Sequence, residues 1–254
     1  MRARHPAGGS DGAPERFERR TYLSSRTLYR DMSLEDTLRD DPERVASIID
    51  HTNVDPTATE AAIRTLCEEV LEYGFCSAVV VPYHAALASE LLDGDANVVA
   101  VVGFPYGIQN SAAKRSEVEA LREHVDEFDM VMNRTAFANG DREAVVDDVE
   151  AVRDAVGEKT LKCIIESPAL TPPEIRRAAG LVEEGGADFV KTAVGYDGPT
   201  ATEEITAIRD AVGSDTQIKA SGGISTFEEA LEMVAAGATR IGASSGVEIY
   251  ESTQ

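Results

Sequence analysis

From about residue 46 onward the chain alternates between two patterns of apolar and polar positions. One is a short run, apolar at successive positions and rich in β-branched residues, which reads as a parallel strand buried on both faces. Eight such runs follow one another: Ile48–Thr52 (IIDHT), Ser77–Pro82 (SAVVVP), Val98–Pro105 (VVAVVGFP), Phe128–Asn133 (FDMVMN), Leu161–Ser167 (LKCIIES), Ala187–Gly195 (ADFVKTAVG), Gln217–Gly223 (QIKASGG) and Arg240–Gly246 (RIGASSG). The other is an amphipathic helical repeat, clearest in Ala58–Gly74 and Asp141–Gly157. Both of these end on Gly, as helix C-termini often do, and Pro172–Pro173 suits the first turn of a further helix. Eight strands alternating with helices predict a single-domain (β/α)8 TIM barrel, an α/β fold. A doubly wound open sheet alternates in the same way but carries a Gly-rich turn after its first strand; IIDHTNVDP has no glycine. Only VEIYESTQ follows the eighth run, so the closing helix is expected to be short or missing.

The opening of the chain breaks this pattern. Its first 30 residues hold seven Arg and three acids without apolar periodicity. Residues 1–31 are therefore expected to be a disordered or non-native N-terminal extension, with translation properly beginning at Met32 and the barrel occupying residues 32–254. Net charge over the whole chain is −22, from 46 acidic and 24 basic residues. A field of that sign repels nucleic acid and anionic membrane, so neither is an expected partner. The basic residues divide into 19 Arg and 5 Lys. Dense surface acid with little Lys predicts a halophile-like protein kept soluble in concentrated salt. No apolar run has the length of a membrane span, and the N-terminus lacks the apolar region of a secretory signal. Cys67, Cys76 and Cys163 have no metal-ligand spacing, and their odd, low number argues against a disulfide scaffold. His5, His84 and His124 stand alone, so no metal site is expected, and the location expected is cytoplasmic.

In a barrel the C-terminal strand ends line the active site. They offer Asp50 and Thr52, Asp129 and Asn133, Lys162 and Glu166, Lys191 and Thr192, Lys219 and Ser221, and Ser244 and Ser245. Three of the five lysines thus lie within apolar strands, where Lys is rarely found unless paired. Lys191 and Lys219, on adjacent strands, can face each other. One ammonium beside another, or in an apolar pocket, loses its proton more easily. The neutral amine attacks a carbonyl and forms a Schiff base, an electron sink for breaking a carbon–carbon bond. Asp129 can balance the remaining charge and relay protons. A buried ion-pair network that merely fills the barrel is the competing reading, and the earlier strand position of Lys162 fits it best. Asp50, Thr52, Lys162 and Thr192 stand as candidate substrate contacts. The stretches Ser221–Ile224 and Gly242–Gly246 follow strands seven and eight, where phosphate commonly binds in this fold.

The ordered set IDHT (49–52), GFPYG (103–107), FDMVMN (128–133), DFVKTAVG (188–195), IKASGGI (218–224) and RIGASSGV (240–247) resembles the deoxyribose-phosphate aldolase family, from about residue 45 to 248. The resemblance implies a class I aldolase that needs no cofactor and reversibly cleaves 2-deoxyribose 5-phosphate to glyceraldehyde 3-phosphate and acetaldehyde, in deoxyribonucleotide catabolism. It implies Lys191 as the Schiff-base lysine, Lys219 as the second lysine that lowers its pKa, and Asp129 as the proton relay. Gly195, Gly222, Gly223, Gly242, Ser244 and Ser245 match the phosphate cradle, and a homo-oligomer, dimer or tetramer, is expected. Lys114 and Glu117 also match family positions, but their helical setting reads as an exposed structural pair. The chain departs from the pattern in places. The family's KTSTG is KTAVG here, with Ala193 and Val194 in place of two hydroxyls. Ser225 stands where many members carry Arg, and Val79–Val81 replaces a frequent cysteine. Three alternatives remain open: a Schiff-base aldolase for a different or non-phosphorylated sugar, a non-catalytic metabolite-binding barrel, and a phosphate-binding isomerase barrel. His51 faces away from Asp50 and is expected to pack on a helix. The acidic stretches Asp147–Glu150 and Glu183–Glu184 read as solvated helix faces.

Overall fold

Eight parallel strands close on themselves in sequence order, β1 (Ile49–Asn53), β2 (Ser77–Val80), β3 (Asn97–Val102), β4 (Glu127–Val131), β5 (Thr160–Ile164), β6 (Phe189–Lys191), β7 (Gln217–Ser221) and β8 (Arg240–Ala243). The ring is sealed by the pairing of β1 with β8, Asp50 opposite Gly242. This computed structural model describes residues 32–254, so the N-terminal extension expected over residues 1–31 lies outside the described residues. Helix α1 (Leu34–Asp40) and a 3-10 turn (Pro42–Ile48) lead into β1. The connecting helices are α2 (Glu60–Tyr73), α3 (Ala85–Leu92), α4 (Ser111–Leu121), α5 (Arg134–Ala138), α6 (Arg142–Val156), α7 (Pro172–Glu184), α8 (Thr202–Arg209) and α9 (Phe227–Ala235). The closing helix, α10 (Gly246–Glu251), is short as expected. Four observed strands stop three or more residues before their apolar runs end: β3 stops at Val102, β5 at Ile164, β6 at Lys191 and β8 at Ala243. Beyond β3, β5 and β6 the chain continues as loop that begins buried, and an apolar run by itself does not separate a buried loop from a buried strand.

Side chains alternate across each strand, which divides the interior into two zones. The outward set packs under the helices as one large apolar core. The inward set changes character around the ring. On β2 and β3 it is apolar beyond the first position, with Val79, Val99 and Val101 packed together, while Ser77 and Asn97 at the strand starts donate to Asp50 and Glu127. From β4 to β8 it is charged, with Glu127, Asp129, Lys162, Lys191, Lys219 and Arg240.

Two expectations about charged residues are overturned. Lys114 is fully buried and pairs with Asp148 rather than Glu117; its Nζ lies 2.6 Å from Asp148 Oδ2 and donates to Val131 O at 2.9 Å. The reason is helical phase. Lys114, Val118 and Leu121 share the buried face of α4, since positions three and four apart lie together. Asp148, expected on a solvated face, is fully buried on α6 for the same reason. Breaking such a pair by removing one partner leaves an uncompensated buried charge.

The turn after β3 depends on one glycine. Gly107 has φ +67°, and a Cβ there would lie 2.0 Å from Met132 O and 2.8 Å from Val131 O. Both obstacles are backbone, so neither can swing aside. Gly107→Ala is expected to destabilise the protein by about 3 kcal/mol or more through left-handed strain and overpacking. Urea unfolding checks this, and a ΔG within about 0.5 kcal/mol of wild type would contradict it.

Candidate active site

Three carboxylates and four cations occupy the charged half of the barrel. Asp129, on β4, is the hub. Its Oδ2 accepts from Lys191 Nζ at 2.7 Å and from Lys219 Nζ at 2.8 Å, and its Oδ1 accepts from Lys162 Nζ at 2.9 Å. Strand register produces this meeting, because Lys191 sits directly opposite Lys219 and Asp129 directly opposite Lys162. Below it, Asp50 lies 2.5 Å from Lys219 Nζ and accepts from Arg240 Nη1 and Ser77 Oγ at 2.8 and 2.7 Å. Glu127 pairs with Lys162 and lies 3.5 Å from Arg240.

Counting charges shows which group yields. Asp50, Glu127 and Asp129 carry three negatives against four positives on Lys162, Lys191, Lys219 and Arg240. Burying an unbalanced charge is costly, so the surplus is relieved where a proton can leave. Lys162 is flanked by all three carboxylates, whose charges outweigh its burial and hold its pKa above the ordinary value. Lys191 goes the other way. Burial disfavours its charged form, and Lys219 adds repulsion that Asp129 only partly offsets, so its pKa falls to about 8. Asp129 is held well below the usual carboxylate range because three lysines outweigh its burial. The Lys191 amine therefore gives up its proton near pH 8, well below an ordinary lysine, beside a carboxylate that stays charged.

Lys191 alone of this cluster reaches the wall of the cavity at the C-terminal mouth of the barrel, a space of about 1450 Å3. The expected cradle residues Gly195, Gly222, Gly223, Gly242, Ser244 and Ser245 line the same cavity, as does Thr52. Gly222 and Gly223 take φ of +105° and +77°, which turns the backbone after β7 sharply at this wall. Asp50, Lys162, Lys219 and Asp129 are fully buried beneath the cavity and not on its wall. Thr192 is also enclosed: its Oγ1 donates to Ser221 O and accepts from Ser221 N–H, both at 2.9 Å, which locks β6 to β7 beside Lys191. The structure thus places the expected substrate contacts Asp50, Lys162 and Thr192 out of the cavity: Asp50 and Lys162 occupy the lower of two inward levels, and Thr192, one residue past the inward Lys191, turns away to bond the β7 backbone. Asn133 caps α5 through Ala136 N–H. His51 packs outward as expected, its Nε2 2.7 Å from Glu69 on α2.

Glu127 and Arg240 were not among the expected site residues. Each lies at the first position of its strand, two residues from Asp129 and Gly242, so the period of two already placed them on the inward face. Glu117, read as part of an exposed pair, lines the cavity and accepts the Gly103 N–H at 2.7 Å. Among the described residues, no group of three or more His, Cys, Asp or Glu side chains is arranged to hold a metal ion, and no helix is long and apolar enough to cross a membrane.

The lowered pKa of Lys191 sets a pH dependence. Attack on a carbonyl needs the free amine, so kcat/KM for an aldehyde substrate is expected to rise about tenfold per pH unit up to about pH 8 and then level off. An unshifted lysine would keep the rise going past pH 10. The same shift acts on stability. The folded state releases the Lys191 proton earlier than the unfolded chain, so this group contributes a stability that increases with pH between about 8 and 10.5.

A model of DeoC/LacD family aldolases matches residues 44–252. The chain is also similar to curated proteins called deoxyribose-phosphate aldolase. That of Methanothermobacter thermautotrophicus is 46% identical over 213 residues, 82% of this chain and 95% of the other. That of Thermococcus gammatolerans is 44% identical over 214 residues, again 82% and 95%. Among solved structures, a deoxyribose phosphate aldolase from Aeropyrum pernix, described as having a unique tetrameric structure, superposes with a TM-score of 0.77 at 30% identity, covering 87% of this chain and 98% of that one.

Proposed function

The chain belongs to the DeoC/LacD aldolase family, and from that premise we propose that it reversibly cleaves 2-deoxyribose 5-phosphate to glyceraldehyde 3-phosphate and acetaldehyde through a Schiff base on Lys191. The observation that carries the reading is the neutralisable amine of Lys191 at the cavity wall, 2.7 Å from a buried carboxylate that a second lysine also contacts. Lys191 Nζ adds to the C1 aldehyde, and loss of water leaves a protonated imine. As the C3 hydroxyl gives up its proton, the C2–C3 bond breaks and its electron pair flows into the imine, giving an enamine and free glyceraldehyde 3-phosphate. Protonation at C2 and hydrolysis release acetaldehyde and restore the amine. Asp129 and Lys219 serve as the proton relay, since both lie within hydrogen-bond reach of the reacting nitrogen or of its partner. The backbone at Gly195, Gly222–Gly223 and Gly242–Ser245 cradles the phosphate.

A second reading, cleavage of a non-phosphorylated sugar, is favoured by one observation: among the described residues lining the cavity, Lys191 is the only Lys or Arg. Phosphate would then rest on neutral donors. Comparing 2-deoxyribose 5-phosphate with 2-deoxyribose decides between them. The reading predicts a kcat/KM at least ~100-fold higher for the phosphorylated sugar, the size expected from several hydrogen bonds to a charged group. Equal values would favour the second reading, and no acetaldehyde from either would leave a binding barrel.

We further infer a homo-oligomer working in the cytoplasm. Three free thiols and the assembled relative from Aeropyrum pernix support this. The acidic composition supports salt adaptation, and full stability and activity in dilute buffer would contradict it.

A further inference from the structure

We propose, resting on the aldolase reading above, that Glu166 is a positioning residue whose carboxylate clamps the Ala193–Gly195 loop and so holds the substrate-binding wall beside Lys191. Glu166 follows β5 by two residues, and no step of the reaction above uses it. Its backbone lies in the left-handed region, φ +56° and ψ +57°, which a residue with a Cβ rarely adopts. The other such residue among those described, Asp93, sits at an exposed helix end; Glu166 is fully buried.

The surrounding hydrogen bonds explain what the turn accomplishes. Ile165 N–H donates to Lys191 O at 3.0 Å, and Ser167 N–H donates to Thr192 O at 2.8 Å. Between those two bonds the left-handed turn at Glu166 carries its side chain along the neighbouring segment. There Oε2 accepts the Val194 N–H at 2.9 Å. Residues 165–167 therefore hold three backbone groups of the segment that begins at Lys191. Ala193, Val194 and Gly195 all line the cavity. The arrangement carries three penalties at one residue: backbone strain, burial that pushes the carboxyl upward in pKa, and an Oε1 with no partner. Penalties of this kind cluster at functional sites, where the surrounding structure maintains them.

Two substitutions separate the clamp from the turn. Glu166→Gly accepts the left-handed backbone without strain but deletes the carboxylate. Glu166→Gln retains a side-chain carbonyl that can accept the Val194 N–H. A loop that holds substrate equally before and during the reaction affects KM and leaves kcat alone. The Gly variant is expected to raise KM for 2-deoxyribose 5-phosphate at least ~10-fold, to change kcat by less than ~3-fold, and to speed amide exchange at Val194. Its Tm is expected to stay level or rise, because strain and an unpartnered oxygen are removed. The Gln variant is expected to keep KM within ~2-fold of wild type and Val194 protected.

A Gly variant with wild-type KM and a protected Val194 would overturn the clamp. So would a Gln variant as impaired as Gly, or a Gly variant in which Tm and kcat fall together. Trapping of acetaldehyde on Lys191 is expected to be equal in all three proteins. Failure of trapping in the wild type would count against the aldolase reading, while amide exchange at Val194 would still decide the clamp.

Discussion

Lys191→Ala is expected to abolish aldol cleavage, with at least a ~10^4-fold loss in kcat, while leaving the protein as stable as before or more so. The loss follows from covalent chemistry: without the amine there is no imine, and no other cation among the described residues reaches the cavity wall. The stability side is less intuitive and is the sharper test. Lys191 is a buried cation in a cluster of three carboxylates and four cations, and its pKa of about 8 records that its charge is unwelcome there. Its removal leaves three charges of each sign. The relief offsets the packing lost with the three methylenes beyond Cβ, so Tm is expected to hold within ~2 °C or rise. Calorimetry at pH 7 beside a coupled assay for glyceraldehyde 3-phosphate reads both. A fall of several degrees would show that Lys191 is needed to balance Asp129 and is chiefly structural.

Asp129→Asn is expected to do the opposite to stability and nearly the same to activity. Asp129 touches three lysines. Neutralising it leaves Asp50 and Glu127 against four cations, and breaking a buried network from one side typically costs about 3–5 kcal/mol. Removing a carboxylate that holds the proton on Lys191 also moves the rising limb of the pH profile below about 8. The amine becomes easier to free, yet turnover falls about 10^2- to 10^4-fold because the proton relay is gone. Urea unfolding and a pH–rate profile test this together. A variant that is as stable as wild type, or whose pH limb moves upward, would contradict the charge balance described here.

These two substitutions concern residues that were plain in the sequence, and the reason is compositional. A Lys in an apolar strand stands out in a chain with five lysines, and strand order alone put Lys191 next to Lys219. The glycines proposed to cradle the phosphate were equally visible, because two Gly-rich strand ends fall at the last two positions of an eight-strand count. What the strand-end rule does not separate is depth. Asp50 and Thr52 lie on one strand and one face, yet only Thr52 reaches the cavity. Lys162 looked like a substrate contact and lies beneath the cavity among three carboxylates.

Buried helical charges escape the sequence pattern for a different reason. Acidic and basic residues in an amphipathic helix are assumed to face solvent, and that assumption fails for Lys114 and Asp148, which are buried together. Spacing with Val118 and Leu121 is the signal that places Lys114 inward. The role of Glu166 lay beyond the sequence altogether, since a left-handed backbone at a glutamate leaves no trace in composition or period.

The central claim is that Lys191 forms a covalent imine with an aldehyde. Its most direct test is borohydride reduction of the protein in the presence of acetaldehyde, in concentrated salt, followed by intact-mass and peptide mass spectrometry. A single reduced two-carbon adduct is expected on the peptide containing Lys191, formed faster as pH rises toward about 8 and absent from the Lys191→Ala variant. A folded wild-type protein that gains no adduct, or gains it equally on surface amines and in the variant, would contradict it.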